Sequence, residues 1–302
     1  MESNRLRRRF RPGNLTGLAF ILPALIFLLA FVLYPLIYNI RMSFLQVDVS
    51  TLYSEQPFVG LKNYIDVLTS KLFRSSLINT FVFTIISIVF QFIIGFALAL
   101  LFSKPFPGNN FLRGLMLICW MIPILVATSV WKWMFAGDTS GVINYLLIKL
   151  GILKEPISWL TNATTAMAAL VISNIWRGVP FNMLLLATAI TTLPEEIYEA
   201  AEIDGASRFQ RFRTITLPLL RPAIFSVITL GFIYTFKVFE IIFIMTNGGP
   251  VNTTHNLATL SYLYSFRNFE YAQGATIATV LFAILMVFGS FYIKLSEGDD
   301  AA

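Results

Sequence analysis

Cysteine, histidine and charged residues are scarce in this sequence of 302 residues. There is one cysteine, Cys119, and one histidine, His255. A single cysteine cannot form an internal disulfide, and the two residues together are too few for a Cys/His metal site. Only 13% of the residues are charged, whereas soluble domains have about 25%. These shortages exclude a disulfide scaffold and a zinc domain, and they argue against a water-soluble globular protein.

Motifs of catalysis are absent as well. The sequence contains no G-x-x-x-x-G-K-[ST] phosphate loop, no H-E-x-x-H and no G-x-S-x-G. His255 falls in a predicted loop, where an ordinary loop residue is more common than a catalytic base. We therefore predict that the chain is not an enzyme, that it has no catalytic residues, and that it binds no metal or cofactor of its own.

Apolar residues, by contrast, are abundant. They make up 57% of the chain, and the mean hydropathy is +0.74. At 1.5 Å per residue, several stretches are long enough to cross a hydrocarbon core of about 30 Å. These stretches cover residues 17–40, 77–102, 112–135, 164–190, 222–246 and 274–295. The predicted fold is an all-α polytopic membrane protein, with a six-helix domain at 17–295, a basic tail at 1–16 and a second tail at 296–302.

The positions of lysine and arginine predict the orientation in the bilayer. If the N-terminus is cytoplasmic, twelve of the 22 Lys and Arg residues lie in inner segments, seven in outer loops and three inside spans. Basic residues are in excess on the cytoplasmic side of membrane proteins, so both termini are predicted to be cytoplasmic. The same bias explains the net charge of +6 without nucleic acid. The cluster RLRRRF at 5–10 could instead bind a partner or anionic lipid.

A polar segment separates the fourth and fifth spans. Residues 199–222 read EAAEIDGASRFQRFRTITLPLLRP. Pro194 suits the first turn of a helix, and Glu195 and Glu196 suit its positive N-terminal end. Gly205 can adopt φ > 0 and reverse the chain, and a second helix is predicted to start near Ser207. Residues 191–221 are therefore predicted to form a helix–turn–helix at the inner membrane face. An amphipathic pair that only connects two spans is the alternative.

The order of residues in this segment closely resembles the EAA loop of permease subunits of ATP-binding-cassette (ABC) importers. The family pattern has Glu-Ala-Ala, Asp-Gly-Ala, a Phe and Leu-Pro at matching spacing. The corresponding residues are Glu199, Ala200, Ala201, Asp204, Gly205, Ala206, Phe212, Leu217 and Pro218. In the family this loop is the coupling helix, which docks in a cleft of a separate ATPase. The resemblance implies that Glu199 meets basic groups of the ATPase and that Gly205 sets the turn.

Three further segments resemble the maltose-type carbohydrate branch of that family. They are FVGLKNY at 58–64, GVINYLL at 141–147 and TNGGPVNTT at 246–254. The resemblance implies a type I importer fold, a prokaryotic inner-membrane location and a sugar or oligosaccharide substrate. Besides the lipid bilayer, it implies three kinds of protein partner: a second homologous permease in a heterodimer, two ATPase subunits that hold ATP and Mg, and an extracytoplasmic solute-binding protein.

Polar residues inside spans are costly and are candidate substrate contacts. The fourth span contains SNIWRGVPFN at 173–182, which matches the segment that lines the transport site in the maltose-type family. Gly178 and Pro180 are expected to loosen this helix near mid-membrane. Asn174 can hydrogen-bond hydroxyls, and Trp176 and Phe181 offer flat faces to sugar rings. The predicted substrate path comprises Trp120, Asn174, Trp176, Arg177, Gly178, Phe181, Gly231, Thr235, Lys237, Val238 and Glu240, with Ile124 as a weaker candidate.

The charged residues of this path leave alternatives open. Arg177 departs from the neutral residue of the maltose system. It could recognise an anionic sugar derivative or a polyol phosphate such as glycerol 3-phosphate, pair with Glu240, or cap a broken helix. Lys237 and Glu240 are three positions apart in the fifth span, near enough to pair on one helix. These charges could also serve a secondary transporter driven by an ion gradient, although such a transporter needs no EAA loop.

Overall fold

A computed structural model describes residues 12–299, which form helices, π-helical turns and loops with one isolated β-bridge between Leu45 and Phe58. The predicted all-α class is confirmed. The RLRRRF cluster lies outside the described residues. The helices are α1 (Pro12–Leu28), α2 (Tyr34–Met42), α3 (Lys62–Thr69), α4 (Lys71–Phe102), α5 (Asn109–Met121), α6 (Ile124–Met134), α7 (Val142–Lys149), α8 (Ala163–Thr191), α9 (Glu195–Ile203), α10 (Arg208–Arg211), α11 (Leu217–Leu219), α12 (Arg221–Phe236), α13 (Glu240–Met245), α14 (Leu257–Tyr262) and α15 (Tyr271–Asp299). The π-helical turns are Leu29–Leu33, Phe212–Thr216 and Leu263–Arg267.

Five helical segments are long and apolar enough to cross a membrane individually. They are Ala19–Met42, Lys71–Phe102, Ala163–Thr191, Arg221–Met245 and Tyr271–Tyr292. The remaining predicted span, the third along the chain, corresponds to α5 and α6 together, whose axes are bent by 94°. All six apolar stretches therefore fall on helices of suitable length and composition.

The third span is bent at Pro123. Pro123 has no N–H to continue the helical ladder, and its ring keeps the preceding residue out of the helical region. Accordingly, Ile122 has φ −59° and ψ 133°, and Pro123 has φ −52° and ψ 133°. The proline thus ends α5 and starts α6 in a new direction.

The fifth and sixth spans also differ from expectation. α12 ends at Phe236 and α13 begins at Glu240, so the fifth span is interrupted by three residues. α15 continues to Asp299, into the segment predicted as a tail. The interruption matters more, because it places backbone without regular helical hydrogen bonds beside the cavity described below.

The helices α4 and α8 form the central pair of the bundle. Their close approach depends on Gly95, because a Cβ there would lie 2.7 Å from the Asn182 Cβ and 3.1 Å from the Met183 backbone nitrogen. Small residues allow membrane helices to approach in this way. One apolar cluster around Phe83 and Ile242 and a second around Phe96, Met183 and Leu220 surround the pair.

The first span lies apart from this core. None of its most apolar stretch within Ala19–Met42 is buried. Asn39 connects it to α15, where its Nδ2 donates to the Ala275 carbonyl and the Thr279 hydroxyl, both at 3.2 Å. The rest of its apolar surface faces away from the chain.

Candidate functional site

A cavity of about 550 Å³ lies between α4, the bend of α5 and α6, α8, and the break between α12 and α13. Ten of the eleven predicted path residues line it, and so does the weaker candidate Ile124. The ten are Trp120, Asn174, Arg177, Gly178, Phe181, Gly231, Thr235, Lys237, Val238 and Glu240. Two interrupted helices and two continuous ones therefore bring residues from four separate sequence segments to one space.

Trp176 is the predicted path residue that does not line the cavity. Its ring meets Trp131 edge-on, with 5.7 Å between the centroids and 69° between the planes. Residues 174, 177, 178 and 181 share one face of a helix with 3.6 residues per turn, whereas residue 176 points to the flank. The sequence-based placement of Trp176 in the path is therefore corrected.

One wall of the cavity is aromatic. Trp120 stacks on Phe181 at 5.7 Å with 24° between the planes, and Phe181 meets Tyr234 edge-on at 6.1 Å. Such contacts hold the rings in defined orientations. The wall thus offers flat apolar faces of fixed geometry, which suit the C–H faces of a sugar ring.

Another part of the cavity lining is polar, because three side-chain amides of α4 and α8 lie there. Gln91 Nε2 donates to the Asn174 carbonyl at 2.8 Å, and Asn182 Nδ2 donates to the Gly178 carbonyl at 2.9 Å. Asn174 is 6% exposed, and its buried Nδ2 has no hydrogen-bond partner among the described residues. Amides present both donors and acceptors, so this wall can bind hydroxyl groups.

The expected loosening of α8 at Gly178 and Pro180 is wrong. The helix runs without interruption from Ala163 to Thr191. Gly178 serves another purpose, because a Cβ on it would lie 2.2 Å from Gln91 Cδ. The missing side chain makes room for the Gln91 amide against the helix backbone.

Arg177 caps a broken helix, which was one of the alternatives that the sequence left open. Its Nη1 donates to the Ile122 carbonyl at 3.2 Å, at the C-terminal end of α5. A cation is favourable there, because the carbonyl end of a helix carries partial negative charge. Within residues 12–299, Arg177 and Glu240 form no ion pair.

The pairing of Lys237 with Glu240 on one helix, another alternative that the sequence left open, is not found among the described residues. The break after Phe236 separates them, and they form no ion pair within the described part of the chain. The Lys237 ammonium lies 5.6 Å from the centre of the Tyr234 ring, a cation–π contact. Glu240 lies in the first turn of α13, where the helix end favours a negative charge.

Five residues of the lining escaped the sequence-based prediction: Gln91, Asn182, Tyr234, Phe239 and Ile241. Gln91 interrupts the apolar run VFQFII in the second span, and a lone amide at mid-span was a usable signal. Asn182 ends the SNIWRGVPFN segment. Tyr234 and Phe239 carry no such signal, because aromatic residues are frequent throughout the chain.

The predicted helix–turn–helix between the fourth and fifth spans is confirmed. α9 and α10 are joined at Gly205, which has φ +76°. Ser207 and Gln210 form a reciprocal capping box at the start of α10. Arg211 Nη1 lies 2.9 Å from Glu202 Oε2 and bridges the two helices.

This pair of helices is attached to the bundle through its second half. Phe212 packs on Phe96 of α4, with 6.0 Å between the centroids. The Tyr198 and Thr216 hydroxyls lie 2.9 Å apart. The remaining predicted loop residues are half-buried (Ala201, Ala206, Leu217) or exposed (Glu199, Ala200, Asp204, Gly205, Pro218). The pair therefore has an attached face and a free face.

Phe209 and Phe212 are three residues apart, a helical spacing, but they do not share one packed face. Phe212 is packed, whereas Phe209 is 70% exposed and Ile203 is 87% exposed. The π-helical turn at Phe212–Thr216 contains more residues per turn than an α-helix and changes which positions share a face. Two large apolar side chains thus lie on the free face.

The chain is similar to known transport proteins over most of its length. Residues 91–296 match the family model described as "Binding-protein-dependent transport system inner membrane component". The chain is 35% identical to the "Trehalose/maltose transport system permease protein MalF" of Thermococcus litoralis, over 96% of both proteins. It is 30% identical to the "Sulfoquinovosyl glycerol transport system permease protein SmoG" of Agrobacterium fabrum, over 95% of this chain and 92% of that protein.

The fold resembles that of a chain in the crystal structure of "a bacterial ABC transporter involved in the import of the acidic polysaccharide alginate". The TM-score is 0.82 at 23% sequence identity, and the match covers 97% of this chain and 98% of that one. At this identity the likeness shows a shared fold.

Proposed function

The chain belongs to the family of binding-protein-dependent transport system inner membrane components, and on that basis we propose that it carries a sugar or oligosaccharide through the cavity between its spans. It is a multi-pass inner-membrane permease subunit of an ABC importer. The observation that carries the proposal is the cavity, which is lined by both side-chain amides and stacked aromatic rings.

The lining supports a carbohydrate rather than an apolar solute. Sugars present hydroxyl groups at their edges and C–H groups on their faces. The amides of Gln91, Asn174 and Asn182 can hydrogen-bond the hydroxyls, and Trp120 and Phe181 can contact the faces. The relatives named for trehalose, maltose and sulfoquinovosyl glycerol agree with this class.

The proposed partners follow from the family and from the α9–α10 pair. Two ATPase subunits would bind ATP and Mg, and one of them would receive the free face of α9–α10. A second permease would complete the pathway, and an extracytoplasmic binding protein would deliver the sugar. Phe212 supports this coupling because it contacts Phe96, which lies five residues, about 7.5 Å, from Gln91 on the same helix.

An anionic sugar derivative is the second candidate substrate. Arg177 and Lys237 both line the cavity, and Glu240 is the single carboxylate among the lining residues. The relative named for sulfoquinovosyl glycerol agrees with an anionic sugar. A neutral sugar remains our first proposal, because the guanidinium of Arg177 already binds the Ile122 carbonyl.

We would test the proposal in liposomes that contain the chain, its partner permease and its ATPase, with the binding protein added outside. ATP hydrolysis and uptake would be measured with maltose, trehalose, diacetylchitobiose, galacturonate and glycerol 3-phosphate. Gly205→Pro should abolish uptake, because proline cannot adopt the φ of +76° found there. Stimulation of hydrolysis by one of these compounds would identify the substrate class.

Gly151→Pro is the matched control. Gly151 has φ +72°, and its N–H donates to the carbonyl three residues earlier, as does that of Gly205. The two substitutions therefore impose similar backbone strain, but Gly151 lies between α7 and α8, away from the α9–α10 pair. Uptake that does not need ATP and survives Gly205→Pro would contradict the proposal and favour an ion-coupled transporter.

A further inference from the structure

We propose that Gln91 on α4 is a specificity-determining residue of the cavity, whose side-chain carbonyl accepts a hydrogen bond from a hydroxyl group of the transported sugar. This inference rests on the proposed function and names a contact from a helix other than the one that supplies Asn174 and Phe181.

The amide nitrogen of Gln91 is engaged by the protein, whereas its oxygen is not. Nε2 donates to the Asn174 carbonyl at 2.8 Å, and Oε1 accepts no hydrogen bond from any described residue. Gln91 is 4% exposed and lines the cavity. The oxygen is not among the buried polar atoms that lack a partner, so it is accessible from the cavity and can accept a hydrogen bond from a hydroxyl group there.

The opposite helix is shaped to hold this amide in place. Gly178 is the point of contact, and a Cβ there would lie 2.2–2.5 Å from the three atoms of the Gln91 amide group. The close approach of α4 and α8 is already provided one turn away by Gly95. The absence of a side chain at Gly95 is therefore explained by the packing of the two helices. The absence of a side chain at Gly178 is explained by the space that the Gln91 amide occupies.

The neighbouring donor completes the site. Asn174 lies next to Gln91 on the same wall, and its Nδ2 has no partner within residues 12–299. A sugar hydroxyl both donates and accepts. Such a group can donate to Gln91 Oε1 and, once the buried Asn174 amide turns toward the cavity, accept from its Nδ2.

The test is a cycle that removes each partner of the contact in turn. Wild type, Gln91→Leu and Gln91→Met would be reconstituted with the other subunits and the binding protein. Uptake kinetics would be measured for whichever of maltose, trehalose and diacetylchitobiose the wild type transports, and for each monodeoxy analogue of that sugar. Ser87→Ala is the matched control, because Ser87 is fully buried on the same face of α4 but does not line the cavity.

We expect the wild type and Ser87→Ala to transport one analogue with about three- to tenfold lower kcat/KM than the parent sugar, which is the worth of one neutral hydrogen bond. In Gln91→Leu that difference should disappear. A structural role would instead lower uptake of all sugars by the same factor and preserve the difference, and that result would overturn the inference. Gln91→Met, which matches the length of glutamine, serves if the leucine variant does not assemble.

The outcome separates this inference from the proposed function. If the wild type transports none of the sugars, the proposed substrate class is wrong. If it transports one of them and Gln91→Leu discriminates against the same analogue as strongly as the wild type, the proposed function stands and the role of Gln91 is rejected. Gly178→Ala gives an independent check: by displacing the Gln91 amide, it should reduce the same discrimination.

Discussion

His255 is buried in a loop between α13 and α14, although histidine is one of the few titratable groups that change charge near neutral pH. Its side chain is 4% exposed, and Nδ1 lies 3.0 Å from the Thr259 hydroxyl. Gly248 packs directly against the ring, at a distance that leaves no room for a Cβ. Burial, together with the positive charge of Arg267, lowers the pKa of His255 to about 4.

The stability of the chain should therefore fall as the medium is acidified. The unfolded state binds a proton at a pKa of about 6.5, whereas the folded state resists protonation until about pH 4. The contribution of neutral His255 is complete above pH 6.5 and is lost between pH 6.5 and 4, up to about 3 kcal/mol.

Thermal unfolding in detergent at a series of pH values would measure this effect. His255→Gln is the control, because it keeps a polar side chain that does not titrate. The difference in melting temperature between the two proteins should change across this range. A difference that is constant from pH 7 to pH 4 would contradict the assigned pKa.

At the scale of elements, the α9–α10 pair depends on its attachment to α4. α9 has nine residues and α10 has four, too few to be stable alone. The ion pair of Arg211 and Glu202 is largely exposed on the glutamate side and is worth at most about 1 kcal/mol. Packing of a phenyl ring is worth about 3–5 kcal/mol, so Phe212 is the stronger anchor.

Substitutions of Phe209 and Phe212, which are three residues apart, should accordingly differ in their effects on stability and on ATPase binding. Phe212→Ala should lower the stability of the chain by about 2–4 kcal/mol, less than for a fully buried ring because Phe212 is half-buried, and it should uncouple ATP hydrolysis from uptake. Phe209→Ala should leave the stability of the chain within about 0.5 kcal/mol, because that ring is 70% exposed, but weaken binding of the ATPase. Thermal unfolding and co-purification of the ATPase would measure the two effects. Equal effects of both substitutions on both measurements would refute the division into an attached and a free face.

At the scale of the whole molecule, the orientation in the bilayer remains a proposal that follows from the positive-inside rule. It places the loop between α2 and α3 outside and the α9–α10 pair inside. Tyr53 is 97% exposed in the first of these segments and Ile203 is 87% exposed in the second. Both positions suit labelling, because a probe can reach them without disturbing the core.

Cysteine labelling of whole cells would establish the orientation. Cys119, the single native cysteine, would first be replaced by serine. Tyr53→Cys should then react with an impermeant maleimide in intact cells, and Ile203→Cys should react only after permeabilisation. The reverse pattern would place both termini outside. Labelling of both positions in intact cells would contradict the assignment of six spans.

Much of the architecture could be predicted from composition and order alone. The bilayer requires about 20 apolar residues per crossing helix, so the six stretches are visible without any tertiary information. The turn at Gly205 and the caps of the α9–α10 pair depend on neighbours within a few residues, and the sequence was sufficient for them too. These features depend on interactions between residues that are close in the chain, and the sequence shows those residues directly.

Contacts between distant segments could not be predicted from the sequence. Only the packed structure places Gln91 against Gly178, turns Trp176 toward Trp131, and directs Arg177 to the Ile122 carbonyl instead of Glu240. The spacing of Lys237 and Glu240 indicated a pair on one helix, but the chain breaks between them. These outcomes depend on which helices are neighbours and how they are rotated, and that is decided by the packing of the bundle rather than by any single segment.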